Sequence, residues 1–461
     1  MKKPALAACL AMFLVLFGSC DTAGTNRETV QNIAEVTRAE QPPLPAPPED
    51  FVALELELRP RLYRRTIDER LFIQADGSVW RRQRHDDGSV DFVMVKESGA
   101  VAVNAHRAAH ILLENGTLWG RGHNGVGDIG DGTFEDRDEP VMMLENVRMT
   151  DGSAALLETG ELYTWGYSIV DVITRRTMGP GIVLYESELP DAIPSPIRAL
   201  DDVVYFVRDA RTTFAIREDG SLWVSGHNHR GQLGLGYSSD IGVPVDAPVR
   251  VDGIDNAWDV FIDSWNGAYI LDENGTLWTN HRKYHSHRAD HGFSFWPVKE
   301  NVVDFAAGGS HALALTADGR LWGWGDNSLG QLGIGKDFVE VGYGTPAYIM
   351  DQVVKVSSFS DYINVIRVDG TPFLGHGAAI RADNSLWVWG SIGLRSPDPE
   401  TLFFNSDVPV MISEDVHSVD SSLTSILFLK NDGTLWNWGY TEGADEHIPV
   451  MIMENVLLPR R

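Results

Sequence analysis

Cysteine is nearly absent from this chain of 461 residues, and the two that occur, Cys9 and Cys20, both lie near the N-terminus. The rest of the chain therefore cannot form a disulfide or use a thiol as a nucleophile. The Gly-x-Ser-x-Gly sequence that marks the nucleophile of α/β-hydrolases is also missing. We therefore predict no catalytic residue and no cofactor.

Positive charge is scarce as well, because 38 Lys and Arg stand against 65 Asp and Glu, giving a formal net charge of −27. A surface of this sign repels phosphate backbones, so we predict no nucleic acid as a partner. The same charge favours a soluble protein, and we predict a monomer.

Long apolar runs are confined to the N-terminus. Lys2 and Lys3 precede an apolar run of 13 residues, Ala5 to Phe17, which is too short to span a membrane comfortably and is typical of a signal peptide. The residues that follow it, ending in Gly18-Ser19-Cys20, resemble the lipobox of bacterial lipoproteins, which implies lipidation of Cys20. The alternative is ordinary secretion with a free Cys20. We predict an exported protein that faces the periplasm or the cell exterior and touches the membrane through its lipid anchor only.

The domain organisation follows from composition. Residues 1–19 are predicted to be a signal peptide. Residues 20–50 lack a strand pattern and end in QPPLPAPPED, which predicts a proline-rich tether. Residues 51–461 are predicted to form the folded body.

One hairpin pattern recurs throughout this body. In its best copy, residues 311–335, an alternating strand leads to an Asp-Gly turn, a Leu-Trp strand and a glycine-rich loop. The turns lie at Asp76-Gly77, Asn115-Gly116, Thr159-Gly160, Asp219-Gly220, Asn274-Gly275, Asp318-Gly319, Asp383-Asn384 and Asp432-Gly433. An apolar and an aromatic residue follow each turn, at Val79-Trp80, Leu118-Trp119, Leu162-Tyr163, Leu222-Trp223, Leu277-Trp278, Leu321-Trp322, Leu386-Trp387 and Leu435-Trp436. Four copies add a Trp-Gly pair, at Trp165, Trp324, Trp389 and Trp438. We predict that these tryptophans pack in the core of the sheets.

A second motif alternates with the hairpin and predicts an outer strand. It consists of Pro, an apolar stretch and, in most copies, a final Val, at residues 140–147, 196–204, 248–254, 297–303, 346–354, 409–416 and 449–456. The hairpins recur on average about every 51 residues, a period typical of propellers and repeat arrays.

Three segments carry a family resemblance: residues 325–335, residues 226–236 and Gly308-Gly309-Ser310-His311. Residues 122–132 are a looser copy. They resemble the repeat of the regulator of chromosome condensation family, over about residues 51–461. The resemblance implies an all-β propeller of four-stranded blades, usually seven, although the hairpins number eight. Because the chain ends on an outer-strand motif without a following hairpin, we predict closure by pairing of the N- and C-terminal strands.

Two glycine patterns invite a nucleotide-binding interpretation. Residues 330–336 match the first part of a phosphate-binding P-loop, and residues 125–130 match Gly-x-Gly-x-x-Gly. Asp337 stands where a P-loop needs Ser or Thr, and the βαβ context is missing. The repeat accounts for both patterns.

Metal binding has weak candidates only. Four histidines crowd one insertion, at His281, His285, His287 and His291. They lack a Cys-x-x-Cys partner or a His-Glu-x-x-His motif, so a solvated loop is the favoured interpretation. Acidic residues gather at Asp128, Asp131, Glu135, Asp136 and Asp138, without the spacing of an EF-hand. No metal is predicted.

The segments between a glycine loop and the next outer strand vary most, and in a repeat fold such insertions lie on one face. They contain aromatic residues that the repeat does not require, at Tyr167, Tyr185, Tyr284, Phe293, Phe295, Trp296, Phe338, Tyr343, Phe403, Phe404 and Tyr440. We predict that these residues bind a protein or an envelope ligand on one propeller face. One alternative is an envelope hydrolase or lyase that acts on a cell-wall or carbohydrate substrate in the central pocket. Another, implied by the family, is a regulator like its guanine-nucleotide exchange factors, which the predicted compartment disfavours.

Overall fold

The structure is a computed structural model, and it describes the folded body in segments. The described residues are 71–84, 90–105, 108–166, 193–208, 212–240, 243–262, 267–280, 293–308, 310–335, 337, 340–342, 345–361, 374–393, 402–421, 425–439 and 449–456. The chain divides into two units, Met1–Asp50 and Phe51–Arg461, of which the first lies outside the described residues. Lipidation of Cys20 and the domain boundaries remain predictions.

The described residues form 32 strands in eight antiparallel sheets. The first sheet contains β1 (Leu71–Ile73), β2 (Val79–Arg84) and β3 (Val90–Lys96). The second contains β4 (Ala100–Ala105), β5 (Ala108–Leu113), β6 (Leu118–Gly122) and β7 (Arg137–Leu144). The third contains β8 (Val147–Thr150), β9 (Ala154–Leu157), β10 (Leu162–Gly166) and β11 (Ile193–Leu200). The fourth contains β12 (Val203–Arg208), β13 (Thr212–Arg217), β14 (Leu222–Gly226) and β15 (Val245–Arg250).

The remaining four sheets continue in chain order. The fifth contains β16 (Ala257–Ile262), β17 (Ala268–Asp272), β18 (Leu277–Thr279) and β19 (Trp296–Lys299). The sixth contains β20 (Val302–Ala307), β21 (His311–Thr316), β22 (Leu321–Asp326), β23 (Glu340–Val341) and β24 (Ala347–Met350). The seventh contains β25 (Val353–Asp361), β26 (Leu374–Arg381), β27 (Leu386–Gly393) and β28 (Leu402–Ser413). The eighth contains β29 (Val416–Ser421), β30 (Ser425–Lys430), β31 (Leu435–Gly439) and β32 (Val450–Met453).

The predicted all-β propeller is confirmed, and the number of sheets equals the number of hairpins in the sequence. Each of the eight hairpins forms two neighbouring strands of one sheet, so the described residues contain eight sheets, one more than the seven blades that the family resemblance implies. We call the last strand of each sheet the outer strand, because it lies at the sheet edge with most of its described side chains half-buried or exposed.

The hairpin turns explain the Asp-Gly and Leu-Trp pairs together. In the hairpin turn of the fourth sheet, Asp219 accepts a hydrogen bond from the Ser221 backbone N–H at 3.0 Å. An Asp side chain in a turn readily accepts the N–H of the residue two positions later. The Ser221 hydroxyl in turn accepts the indole N–H of Trp223 at 2.9 Å. The Ser221 hydroxyl also donates to Asp219, and this bond, together with the one from the Ser221 N–H, holds the pKa of Asp219 below its usual value. The turn therefore orients the half-buried tryptophan that follows it.

Successive sheets are joined by a repeated pair of backbone hydrogen bonds. Val147 N–H donates to Gly116 O of the preceding hairpin turn at 2.8 Å, and Glu158 N–H donates to Asn146 O at 2.8 Å. Asn146 takes a φ of 59°, and the residues before four other sheets have nearly the same φ: Asp202, Asn301, Gln352 and Asp415. Asn455, which precedes the bridge residue Val456, has a φ of 58°. The predicted outer-strand motif is thus two elements, because in five copies a Val at or next to its end is the buried first residue of the next sheet: Val147, Val203, Val302, Val353 and Val416.

The C-terminal residues make the same contact with the first sheet. Ala75 N–H donates to Asn455 O at 2.7 Å, and Gln74 forms an antiparallel bridge with Val456. Residues after Val456 lie outside the described segments, so fuller pairing of the chain ends remains a prediction.

The apolar core lies between neighbouring sheets. The apolar residue of each turn pair is buried, as are Trp165, Trp324, Trp389 and Trp438, whereas the aromatic residue of the turn pair is half-buried. Within the described segments, no helix has the length and hydropathy that crossing a bilayer would require.

Candidate functional site

The glycine-rich loops share one end of the sheets, opposite the hairpin turns. Three of them are described, at residues 122–132, 226–236 and 325–335, and they follow β6, β14 and β22. We call this end the loop face. The positive φ values of their glycines, such as 74° at Gly330 and 69° at Gly333, account for the glycine requirement.

A buried asparagine holds each loop together. In the third loop, the Asn327 Oδ1 atom accepts the Leu332 N–H at 2.9 Å, and its Nδ2 group donates to Gly335 O at 2.9 Å. Asn124 and Asn228 make the equivalent bonds in the other two loops. One amide side chain thereby fixes both halves of each loop.

A side chain of the next sheet donates a hydrogen bond to a backbone carbonyl of each loop. Trp165 donates its indole N–H to Asp128 O at 3.0 Å, and Trp389 donates to Gln331 O at 2.9 Å. In the fifth sheet Asn280 occupies the position of these tryptophans, and its Nδ2 group donates to Gln232 O at 2.7 Å. The loops are therefore part of the interface between sheets.

The third loop is not arranged to bind a phosphate. Its N–H groups at Gly330, Leu332 and Gly333 donate to Asn327 and Gly330 within the loop, and Gly335 N–H donates to Asp407 O at 2.8 Å. A phosphate cradle needs such N–H groups to point at the ligand. The structure thus supports the repeat interpretation of residues 330–335.

Two aromatic side chains stand out on the loop face. Phe134 is 50% exposed and Tyr237 is 48% exposed. Each lies where an asparagine amide holds the loop, since Asn124 donates to Thr133 O at 2.9 Å and Asn228 donates to Tyr237 O at 2.9 Å. Sequence reasoning did not select either residue, although Tyr237 follows a glycine loop directly.

The predicted partner-binding residues are only partly described. Phe293, Phe295, Trp296 and Phe404 are half-buried. Phe293 and Phe295 pack against the Gly231 and Gly234 backbone of the second loop, and Phe404 contacts Trp438 with ring centroids 4.8 Å apart. Phe403 lies in β28, and its side chain is outside the described atoms. The others lie outside the described residues: Tyr167, Tyr185, Tyr284, Phe338, Tyr343 and Tyr440.

The acidic loop is held by its own hydrogen bonds. Burial raises the pKa of Asp131, but hydrogen bonds from the Thr133 hydroxyl at 2.8 Å, from Arg137 Nε at 2.7 Å and from the Thr133 N–H at 3.0 Å outweigh it and keep the pKa low. Among the residues that the structure describes, no group of three or more His, Cys, Asp or Glu could hold a metal ion. The four candidate histidines, His281, His285, His287 and His291, lie outside that part of the chain.

A polar network joins three inner strands at the same end of the sheets. The Asn104 Nδ2 group donates to Asp151 Oδ1 at 3.0 Å, and the other carboxylate oxygen accepts the Arg208 N–H at 2.9 Å. These residues belong to the second, third and fourth sheets, so the network fixes the relative position of two of the loops.

Removing the Asn327 side chain should loosen the third loop. In Asn327→Ala the buried Leu332 N–H loses its acceptor, which we expect to lower the free energy of unfolding by about 1–3 kcal/mol. Amide hydrogen exchange at Leu332 should accelerate in the same variant. Asn327→Asp keeps the acceptor and serves as the control; equal exchange in wild type and Asn327→Ala would contradict the assignment.

Acid should destabilise the protein through a buried histidine. Burial, and then the nearby charge of His311, lower the pKa of His376 to about 3. The unfolded chain takes up this proton below about pH 6.5 and the folded chain does not, so stability is complete above that pH and falls as the pH drops toward about 3. Between pH 7 and 5 we expect the loss to be about 2 kcal/mol larger than in His376→Gln, measured by urea unfolding. Parallel pH profiles would contradict it.

Comparisons with known proteins agree with this geometry. Models of the regulator of chromosome condensation (RCC1) repeat match residues 302–331 and 318–369. The ultraviolet-B receptor UVR8 of Arabidopsis thaliana is 25% identical over 372 residues, covering 66% of this chain and 80% of UVR8. The E3 ubiquitin-protein ligase HERC2 of Homo sapiens is 26% identical over 272 residues, covering 54% of this chain and only 5% of HERC2. The crystal structure of Prp20p from Saccharomyces cerevisiae superposes with a TM-score of 0.50 at 17% identity, covering 74% of this chain and 87% of that one.

The fold and the loop face define a β-propeller of repeated sheets that presents loops held by asparagine hydrogen bonds at one end. The chain contains RCC1 repeats, and the resemblance seen in its sequence is confirmed.

Proposed function

We propose that this protein is an extracytoplasmic, lipid-anchored propeller that binds a partner protein on its loop face and is not an enzyme. The observation that carries the proposal is the pair of exposed aromatic side chains, Phe134 and Tyr237, on loops that asparagines hold in place. Aromatic side chains on a rigid support are good binding anchors, because little conformational entropy is lost when a partner covers them.

Protein binding as a class is supported by the RCC1 repeats. Prp20p is described by its binding to Gsp1p and histones, which shows that a propeller of this fold can bind proteins. Export and lipidation are supported by the N-terminal sequence up to Cys20.

Binding is tested with a pair of matched double variants. Phe134→Ser/Tyr237→Ser removes the two anchors, and Ile197→Ser/Val249→Ser removes two exposed apolar side chains from outer strands instead. In cross-linking from envelope extracts of the native host, we expect the first variant to lose partners that wild type and the second variant keep. Identical partner sets in all three would refute the loop-face assignment.

Lipidation is tested separately. Metabolic labelling with a fatty acid should mark the wild-type chain and leave Cys20→Ser unlabelled. An unlabelled wild-type chain in the membrane-free fraction would show ordinary secretion, while leaving the loop-face test unaffected.

A further inference from the structure

Proline occurs at seven of the eight outer strands. It lies within β7, β11, β15, β19 and β28, and directly before β24 and β32. In β7, β11, β15 and β28 the proline falls where the register with the neighbouring strand shifts. Proline lacks the N–H that a further strand would need, so these edges resist the addition of another strand.

The outer strand of the first sheet, β3, is the exception. Its seven residues, VDFVMVK, contain no proline, and neither do the residues on either side of it from 81 to 100. Val93 is 41% exposed and Met94 is 49% exposed. Among the described strands β3 pairs with β2 alone. This edge can therefore accept a further strand.

The charge beside this edge differs from that of the whole chain. Strand β2 carries Arg81, Arg82 and Arg84, whose backbone partners in β3 are Val93, Phe92 and Val90. Burial and then the charge of Arg81 lower the pKa of Arg121 in the next sheet, so positive charges lie close together here, with Asp138 and Glu139 also near Arg121. Strand β3 itself carries Asp91 and Lys96, so the two strands together hold four basic residues and one acidic residue, in a chain whose net charge is −27.

A strand added to β3 would lie about 10 Å from β2. An arginine side chain of β2 and a glutamate side chain of the added strand are together long enough to meet across that distance. We propose that the β3 edge binds an extended, acidic segment of a partner protein by strand addition. Main-chain hydrogen bonds hold the segment, Val93 and Met94 supply apolar contacts, and the β2 arginines select acidic side chains. A second copy of this chain is a poor occupant, because two bodies of net charge −27 repel each other.

The probe is a fluorescein-labelled heptapeptide of alternating Val and Glu. Its binding to the full-length protein is measured by fluorescence anisotropy. A peptide with Lys in place of Glu tests charge selection, and one with a central Pro tests strand pairing. We expect the Glu peptide to bind at least about tenfold more tightly than either control, and more weakly as salt is raised. Equal binding of the Glu and Lys peptides would overturn the proposal.

Adjacent residues of a strand direct their N–H groups to opposite edges. One of the variants Val93→Pro and Met94→Pro therefore breaks the β2 pairing, and the other blocks only the open edge; thermal unfolding identifies which is which. We expect the variant that keeps the wild-type unfolding temperature to lose peptide binding by at least about tenfold. Unchanged affinity in that variant would refute strand addition.

Two further measurements separate the other occupants. Arg82→Gln/Arg84→Gln should weaken the Glu peptide while leaving an alternating Val-Thr peptide unaffected. A dimer in sedimentation that the edge-blocking proline dissociates would make a second copy the occupant and overturn the proposal. Tighter peptide binding by Glu55→Gln/Glu57→Gln would do the same by showing competition from the chain's own acidic residues.

Discussion

Replacing Trp389 with alanine is expected to lower the free energy of unfolding by about 3–5 kcal/mol. The side chain is 0% exposed and lies between the seventh sheet and the loop of the sixth. Its indole N–H donates to Gln331 O at 2.9 Å, and its ring closely approaches Gly333 and Gly377. The substitution therefore leaves a cavity and an unpaired carbonyl at the same place.

Urea unfolding of three variants separates these contributions. Trp389→Phe keeps most of the ring and loses the donor, so it should cost less than Trp389→Ala. Trp387→Ala is the matched control, because Trp387 is half-buried and donates to Ser385 within its own sheet. If Trp387→Ala lowered the free energy of unfolding as much as Trp389→Ala, the deeper burial of Trp389 and its contact with the loop would not explain the effect.

The different roles of these two tryptophans could be predicted only in part. The alternation of Leu386, Trp387 and Trp389 places the two tryptophans on the same side of a strand, and the sequence predicted core packing for both. What separates them is position along the strand, since Trp389 meets the loop of the preceding sheet and Trp387 lies near the hairpin turn. Contacts between sheets are long-range, and a repeat pattern does not contain them.

Asn280 is a second residue whose contact between sheets could not be predicted from the repeat pattern. The repeat has Trp at this position in four sheets, and the sequence shows only that Trp is missing here. The structure shows an amide that makes the same hydrogen bond to the loop carbonyl, Gln232 O. A pattern of residue types does not reveal that two different side chains supply one donor.

The candidate site was harder to predict than the fold. The repeat determines the hairpins, and hence the eight sheets, because turn chemistry and alternation are local. The exposure of a side chain depends on neighbours that are distant in sequence. Phe293 and Phe295 were predicted to bind a partner at the surface, but they pack against glycines in the loop of the preceding sheet. Phe134 and Tyr237 are exposed, and Asn124 and Asn228 hold the backbone beside them.

Two glycines with nearly the same φ are expected to respond very differently to alanine. Gly390 has a φ of 92°, and a Cβ atom there would lie 2.3 Å from Gly375 O. Gly335 has a φ of 88° with no atom within 4 Å of such a Cβ. We expect Gly335→Ala to cost about 1–2 kcal/mol for the backbone strain alone. Gly390→Ala should cost at least about 3 kcal/mol, since the overlap with a backbone atom adds to the strain.

The comparison is made by urea unfolding, with circular dichroism to verify that both variants keep the sheet signal. Gly390 lies in the Trp-Gly pair, and Gly325 in the sixth sheet has the same restriction, with a Cβ position 2.4 Å from Ser310 O. In the sixth and seventh sheets the glycine of this pair is therefore required by the close approach of the neighbouring strand's backbone. Equal costs for Gly335→Ala and Gly390→Ala would show that φ alone explains the glycine, and that the neighbouring strand yields.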